Sequence, residues 1–209
     1  MIAQYLLAAW LTFAPDGVDA AIQAANVCHF NEALGLLDRA EDFQKKSGFV
    51  RQLRARLLIQ LGRGNEALRE LDALPEESQF YSKAEHQLMR ALAAASAARF
   101  EEARKALSAA RRFGGDADLL DGALGMMFVQ EGQLERGETL LRSVLARKGA
   151  ESMTGAVFNL AIAVARRGRD FEAAGLLRLA WHLGKRNPRA LKEEKAFEHL
   201  VASGALIED

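Results

Sequence analysis

The sequence predicts an all-α fold built as an array of helix-turn-helix units, and three observations predict it. Ala, Leu, Glu and Arg, all strong helix formers, dominate the 209 residues, and only three prolines interrupt them. Runs alternating Val, Ile, Thr and aromatic residues, the mark of strands, are missing. The stretch "LIQLGRGNEALRELDALP", residues 58–75, reads as helix, glycine break and helix, and its "NEAL" already stands at residues 31–34. Self-similarity at such a period marks a repeat architecture.

The first element is "MIAQYLLAAWLTFAPDG". It has no Lys or Arg ahead of its apolar run, and the run falls short of the roughly 20 residues a membrane span needs. Pro15 ends it. We read residues 2–13 as a helix kept in the mature protein.

The repeats follow. Aligned on the alanine of "NEAL", the anchors are Ala33, Ala67, Ala103, Gly137 and Ala173, spaced 34, 36, 34 and 36 residues apart. Twelve residues before each anchor stands Ala21, Ala55, Ala91, Gly125 or Ala161, and four after it Leu37, Leu71, Leu107, Leu141 or Leu177. Five before it comes Cys28, Gly62, Ala98, Gly132 or Gly168. Antiparallel helices in close contact need small side chains where their backbones meet, and a leucine one turn on fills the space beside them. The small residue between the helices suits a left-handed helix end.

This pattern resembles the tetratricopeptide repeat, the helix-turn-helix unit of 34 residues. Phe30, Phe100 and Leu134 match its bulky residue three before the anchor, and Ala40, Ala110, Val144 and Ala180 its small one seven after. The chain departs from the family in lacking the tryptophan of the first helix and most closing prolines. The frame gives an N-terminal apolar helix at 1–13 and five repeats over 14–183, at about 14–47, 48–83, 84–117, 118–153 and 154–186. A capping helix and tail occupy 187–209, where Asn187 can cap with Pro188 at the first helical position. Ala190, Leu191, Phe197, Leu200 and Val201 form that helix's apolar side, needed because a last repeat would otherwise expose its own.

Chemistry is sparse. Lys plus Arg and Asp plus Glu both number 28, and a neutral chain lacks the basic field that nucleic-acid binding needs. The cluster of Arg166, Arg167 and Arg169, like Lys185, Arg186 and Arg189, reads as a solvated face or as cations at helix ends. Cys28 is the sole cysteine, so neither an internal disulfide nor a cysteine metal cluster can form. His29, His86, His182 and His199 show no metal-ligand spacing, and "GKRNP" at 184–188 lacks the rest of a phosphate loop. We expect no enzyme, no cofactor and no metal.

The resemblance implies a right-handed α-solenoid whose first helices line a groove for a protein or peptide partner. Carried onto this sequence, that groove comprises Val18, Ile22, Phe49, Gln52, Arg56, Leu88, Leu92, Met126, Phe158, Asn159 and Ile162. Arg56 and Asn159 are its only polar groups suited to a carboxylate clamp, so an apolar or amphipathic segment is the expected ligand. The implied function is a non-catalytic scaffold or chaperone-like adaptor, of bacterial composition and cytoplasmic unless residues 1–13 export it. The alternative is a structural subunit that docks or self-associates through its terminal helices, with Tyr5, Trp10 and Phe13 as aromatic anchors.

The small-residue columns make a direct prediction. Ala55→Leu or Ala91→Leu should each cost about 1–3 kcal/mol by overpacking a helix pair. Thermal denaturation checks this, and unchanged melting for both would refute the pairing.

Overall fold

A computed structural model describes residues 16–27, 29–39, 47–74, 82–183 and 195–202. Every regular element among them is helical. The helix expected at 2–13 and the cap start at Asn187 and Pro188 lie outside the described residues.

The chain forms two compact units, Met1–Tyr81 and Ser82–Asp209. In the first, α1 (Asp16–Asn26) pairs with α2 (Phe30–Arg39), and α3 (Gly48–Gln60) pairs with α4 (Gly64–Asp72). Helix α2 lies against α3 and joins the two hairpins. In the second unit α5 (Lys83–Ser96) pairs with α6 (Phe100–Arg112), α7 (Ala117–Gln130) with α8 (Leu134–Lys148), and α9 (Thr154–Arg166) with α10 (Asp170–His182). The first helices α5, α7 and α9 pack successively side by side, while α6 touches α7 and α8 touches α9 from behind. A 3-10 turn at Lys195–Phe197 seats on α9 and leads into α11 (Glu198–Ala202).

First and second helices begin differently. Ser47, Ser82 and Asp116 cap α3, α5 and α7 with side-chain oxygens that accept from Val50, Glu85 and Leu119 amides at 3.1, 3.2 and 3.0 Å. Glu85 returns the bond to the Ser82 amide at 3.0 Å, completing a capping box. Helices α4, α6, α8 and α10 have no such cap, nor does the first helix α9, which starts after Met153; the turn before each second helix is closed from the preceding helix. The residue four before each anchor donates its amide back across the turn: His29 to Ala24, Arg63 to Leu58, Arg99 to Ala94, Gln133 to Phe128 and Arg169 to Val164. These are the long bonds of a Schellman ending, which needs the intervening residue left-handed. Gly62, Gly132 and Gly168 stand there with φ of 73°, 81° and 75°, and Ala98 adopts 57°. Cys28, the fifth member of that column, lies outside the described residues.

The predicted contact columns are buried throughout. Ala21, Ala33, Ala55, Ala67, Ala161 and Ala173 are fully enclosed, and the five leucines beside them are buried with them. The fourth hairpin, where Gly125 and Gly137 replace both alanines, is tighter than an alanine pair allows. A Cβ on Gly137 would lie 2.7 Å from Val129 Cγ2 and 3.0 Å from the Gly125 carbonyl oxygen. A Cβ on Gly125 would lie 2.8 Å from Leu141 Cγ. The helix backbones therefore touch, and Leu141 covers the contact.

The fifth hairpin is covered by the segment that follows it. Ala196, Phe197 and Leu200 join α9 in a core with Leu160, Ala161 and Val164, and Phe197 is wholly buried. Such a lid keeps an array from exposing its final apolar face.

Two substitutions test this packing. Gly137→Ala should lose about 1–3 kcal/mol, since one obstructing atom is backbone and cannot rotate away. Phe197→Ala should lose about 3–5 kcal/mol through the cavity it leaves. Urea denaturation read by circular dichroism measures both.

Candidate partner-binding face and its flanking ion pairs

Each first helix turns one side to its hairpin partner and another away from it. Fifteen and eleven residues before the anchors, the frame places Leu88 and Leu92 on α5, Gly122 and Met126 on α7, and Phe158 and Ile162 on α9. These are equivalent places on three helices packed side by side within the second unit. Leu88, Leu92 and Met126 are half-buried there, and Leu119, one turn before Gly122, is 49% exposed. Met153 reaches the bare backbone of Gly122, where an added Cβ would stand 3.0 Å from its methyl carbon. Large flexible side chains in partial contact with solvent make an adaptable apolar surface.

The other expected residues stand differently. Ile162 is buried, and the Phe158 ring meets Phe197 edge-on with centroids 6.0 Å apart. The C-terminal turn thus lies against the α9 part of this face. Asn159 spends its side-chain amide on the Gly155 carbonyl, 2.8 Å away on its own helix. In the first unit Val18 and Ile22 are buried, Phe49 is half-buried and Arg56 is exposed. Gln52 is buried, and among the described residues neither its Nε2 nor Asp19 Oδ1 has a hydrogen-bond partner.

Ion pairs stitch the hairpins along the second helices. Arg54 on α3 reaches Asp38 on α2 at 2.5 Å and Glu70 on α4 at 2.9 Å. Arg104 on α6 grips both carboxylate oxygens of Glu131 after α7, at 2.8 and 2.9 Å. Glu138 on α8 is the densest centre. It is almost wholly buried and accepts from Arg142 and Arg167, each at 2.9 Å, and from Arg169. The Arg169 hydrogen bond, working against burial, holds its carboxyl at about 2, well below the usual range.

Arg166 stands in the last turn of its helix, as the reading of cations at helix ends expects, but the cluster is more than a solvated face. Arg167 and Arg169 enclose Glu138, and Arg166 donates to the Val129 carbonyl at 3.2 Å. A signal was present. One residue after the anchors the chain writes Leu34, Leu68, Arg104, Glu138 and Ala174, so two charges stand in an apolar column. The cluster of Lys185, Arg186 and Arg189 lies outside the described residues.

His29 pairs with Glu32 at 3.1 Å and His199 with Asp170 at 2.8 Å. Among the described residues no three His, Cys, Asp or Glu side chains gather as a metal site, and no helix is long and apolar enough to cross a membrane.

No family model matches the sequence, and no curated protein matches it. Among solved structures it is similar to the crystal structure of YrrB, a TPR protein with an unusual peptide-binding site. The identity is 15%, over 86% of this chain and 90% of that one, with a TM-score of 0.44. The described hairpins themselves are all-α and bury the small residues of their contact columns.

Glu138 gives stability a specific acid limb. Its folded pKa lies below the unfolded one, so its contribution is complete above the ordinary carboxylate range and is lost as pH falls from about 5 to about 2. Glu138→Gln should lower stability by about 1–3 kcal/mol at neutral pH and flatten the fall in melting temperature between those limits.

Proposed function

We propose that the chain is a non-catalytic protein-interaction scaffold, a chaperone-like adaptor that holds an apolar or amphipathic segment of a partner. One observation carries this reading. Leu88, Leu92 and Met126 stand half-buried at equivalent places on neighbouring first helices, with Leu119 more exposed beside them. An amphipathic helix recognises such a surface through apolar residues on successive turns. The favoured part of the expected groove is therefore α5 and α7, with Phe49 and Arg56 of α3 as its counterpart in the first unit. At α9 the side chains are engaged by the chain itself. A protein partner also suits the zero net charge, which gives phosphate no field to follow. The lone cysteine suits a reducing cytoplasm.

Selection from a library of amphipathic helical peptides tests this. Binders should emerge against the wild type, and Leu92→Glu with Met126→Glu should weaken them at least tenfold while circular dichroism stays unchanged. Lys105→Glu on the exposed side of α6 should leave affinity as it was. Peptides that bind the double variant as tightly would place the site elsewhere.

A further inference from the structure

The second unit holds one instance of this face already covered. On α9 the places fifteen and eleven residues before the anchor are Phe158 and Ile162. The Phe158 ring meets Phe197 edge-on, and Ile162 is buried in the core that Ala196, Phe197 and Leu200 share. The same places hold Gly122 and Met126 on α7, and Leu88 and Leu92 on α5, all partly exposed. Neighbouring first helices do not account for the difference. Helix α7 has α5 on one side and α9 on the other, yet Met126 stays half-buried. Helix α9 packs on α7 alone, with no further first helix after it among the described residues, yet Ile162 is closed off. The described element that seats there is the turn at Lys195–Phe197, which leads into α11.

That short segment is amphipathic. Ala196, Phe197 and Leu200 are buried, whereas Glu198, His199 and Ala202 are exposed. Residues three apart share one face of a helical turn, so the phenylalanine and the leucine act together. The row on α5 and α7 offers a surface of the same kind, with more room for a ring. Gly122 leaves bare the place that Phe158 fills on α9, and the Met153 methyl group stands beside it. Met126 follows one turn later on the same helix. Methionine adapts its shape and makes favourable contacts with aromatic rings. None of the four places on α5 and α7 carries a charge, so a ligand's charges belong on its outer side, as those of the covering segment do.

We infer that the row on α5 and α7 takes a partner's helical turn bearing phenylalanine and leucine three residues apart, the chemistry by which residues 196–200 cover α9. This rests on the scaffold reading above and names the ligand of that surface. The phenylalanine takes the room at Gly122, against Met126 and Met153, and the leucine packs along Leu88 and Leu92. The segment on α9 is tethered to its own site and held there at high effective concentration. A free partner must order its turn on binding, so its association is weaker and reversible.

The probe is a synthetic peptide of residues 191–203, LKEEKAFEHLVAS, blocked at both ends and fluorescently labelled. Titrated with the full chain, its anisotropy should rise and saturate. Phe197→Ala or Leu200→Ala in the peptide should weaken binding at least tenfold, and Glu198→Gln in the peptide should leave it unchanged. These variants do not touch the protein, so a folding defect cannot imitate them. Leu92→Glu with Met126→Glu in the protein should also cost at least tenfold. Absence of saturation up to near-millimolar concentration would overturn the inference, as would equal binding of the alanine peptides. Binding that survives Leu92→Glu with Met126→Glu would overturn it too, since the peptide would then have replaced the chain's own turn on α9. If this peptide fails while the library yields helical binders without the phenylalanine–leucine spacing, the ligand named here is wrong and the scaffold reading stands. If the library yields nothing either, both fall.

Discussion

Two helices can approach until their backbones touch only where neither carries more than a methyl group. That constraint, imposed once per hairpin, orders the rest of this protein. Ala21 against Ala33, Ala55 against Ala67 and Ala161 against Ala173 set the spacing of their pairs, and each is sealed by a leucine one turn later. In the fourth hairpin the Gly125 and Gly137 backbones meet directly. Closure of the turn follows from the same approach. A short link between tightly packed antiparallel helices leaves the first helix ending in a left-handed residue, and the next amide folds back to bond the carbonyl five residues earlier. That bond satisfies the amide of the N-cap residue itself, the donor that a capping-box carboxylate accepts elsewhere, and the second helix begins on Arg63, Arg99 or Arg169 without a side-chain cap. Those arginines pair instead with Glu66, Glu102 and Glu172 in the first turn.

Between hairpins the binding logic changes from shape to charge. Arg54 ties α3 to α2 in the first unit, while Arg104 with Glu131 and Glu138 with its arginines do so in the second. These contacts lie on the side of the second helices, away from the apolar row of α5 and α7. Rigidity is thus supplied from behind, and the partly exposed leucines and Met126 keep the freedom that a surface needs to fit a ligand.

The hairpins were legible in the sequence because their determinants are local. A small residue, a second one twelve places on and a leucine four beyond that report one contact, and five copies in register remove chance. The face was less legible because burial there is decided by distant chain. Ile162 reads like Leu92 and Met126 in the frame, yet Phe197 and its neighbours, more than thirty residues on, share its core. Phe158 is met by Phe197 for the same reason. Glu138 was readable, but only as a charge in an apolar column, since nothing on its own helix forecasts the two arginines of the next turn.

The ion pairs joining hairpins three, four and five occupy the same frame positions with their signs reversed. Arg104 faces Glu131, while one hairpin later Glu138 faces Arg167. Repeats arise and vanish by unequal recombination, which depends on neighbours being interchangeable. Excising the fourth hairpin here would bring Arg104 opposite Arg167, two guanidiniums in place of an ion pair. Duplicating it would set Glu138 of one copy against Glu131 of the next. Either change in length would put like charges at a partly buried joint between hairpins. The reversed pairs therefore act as keyed joints, which fix the order of these hairpins and resist changes in their number.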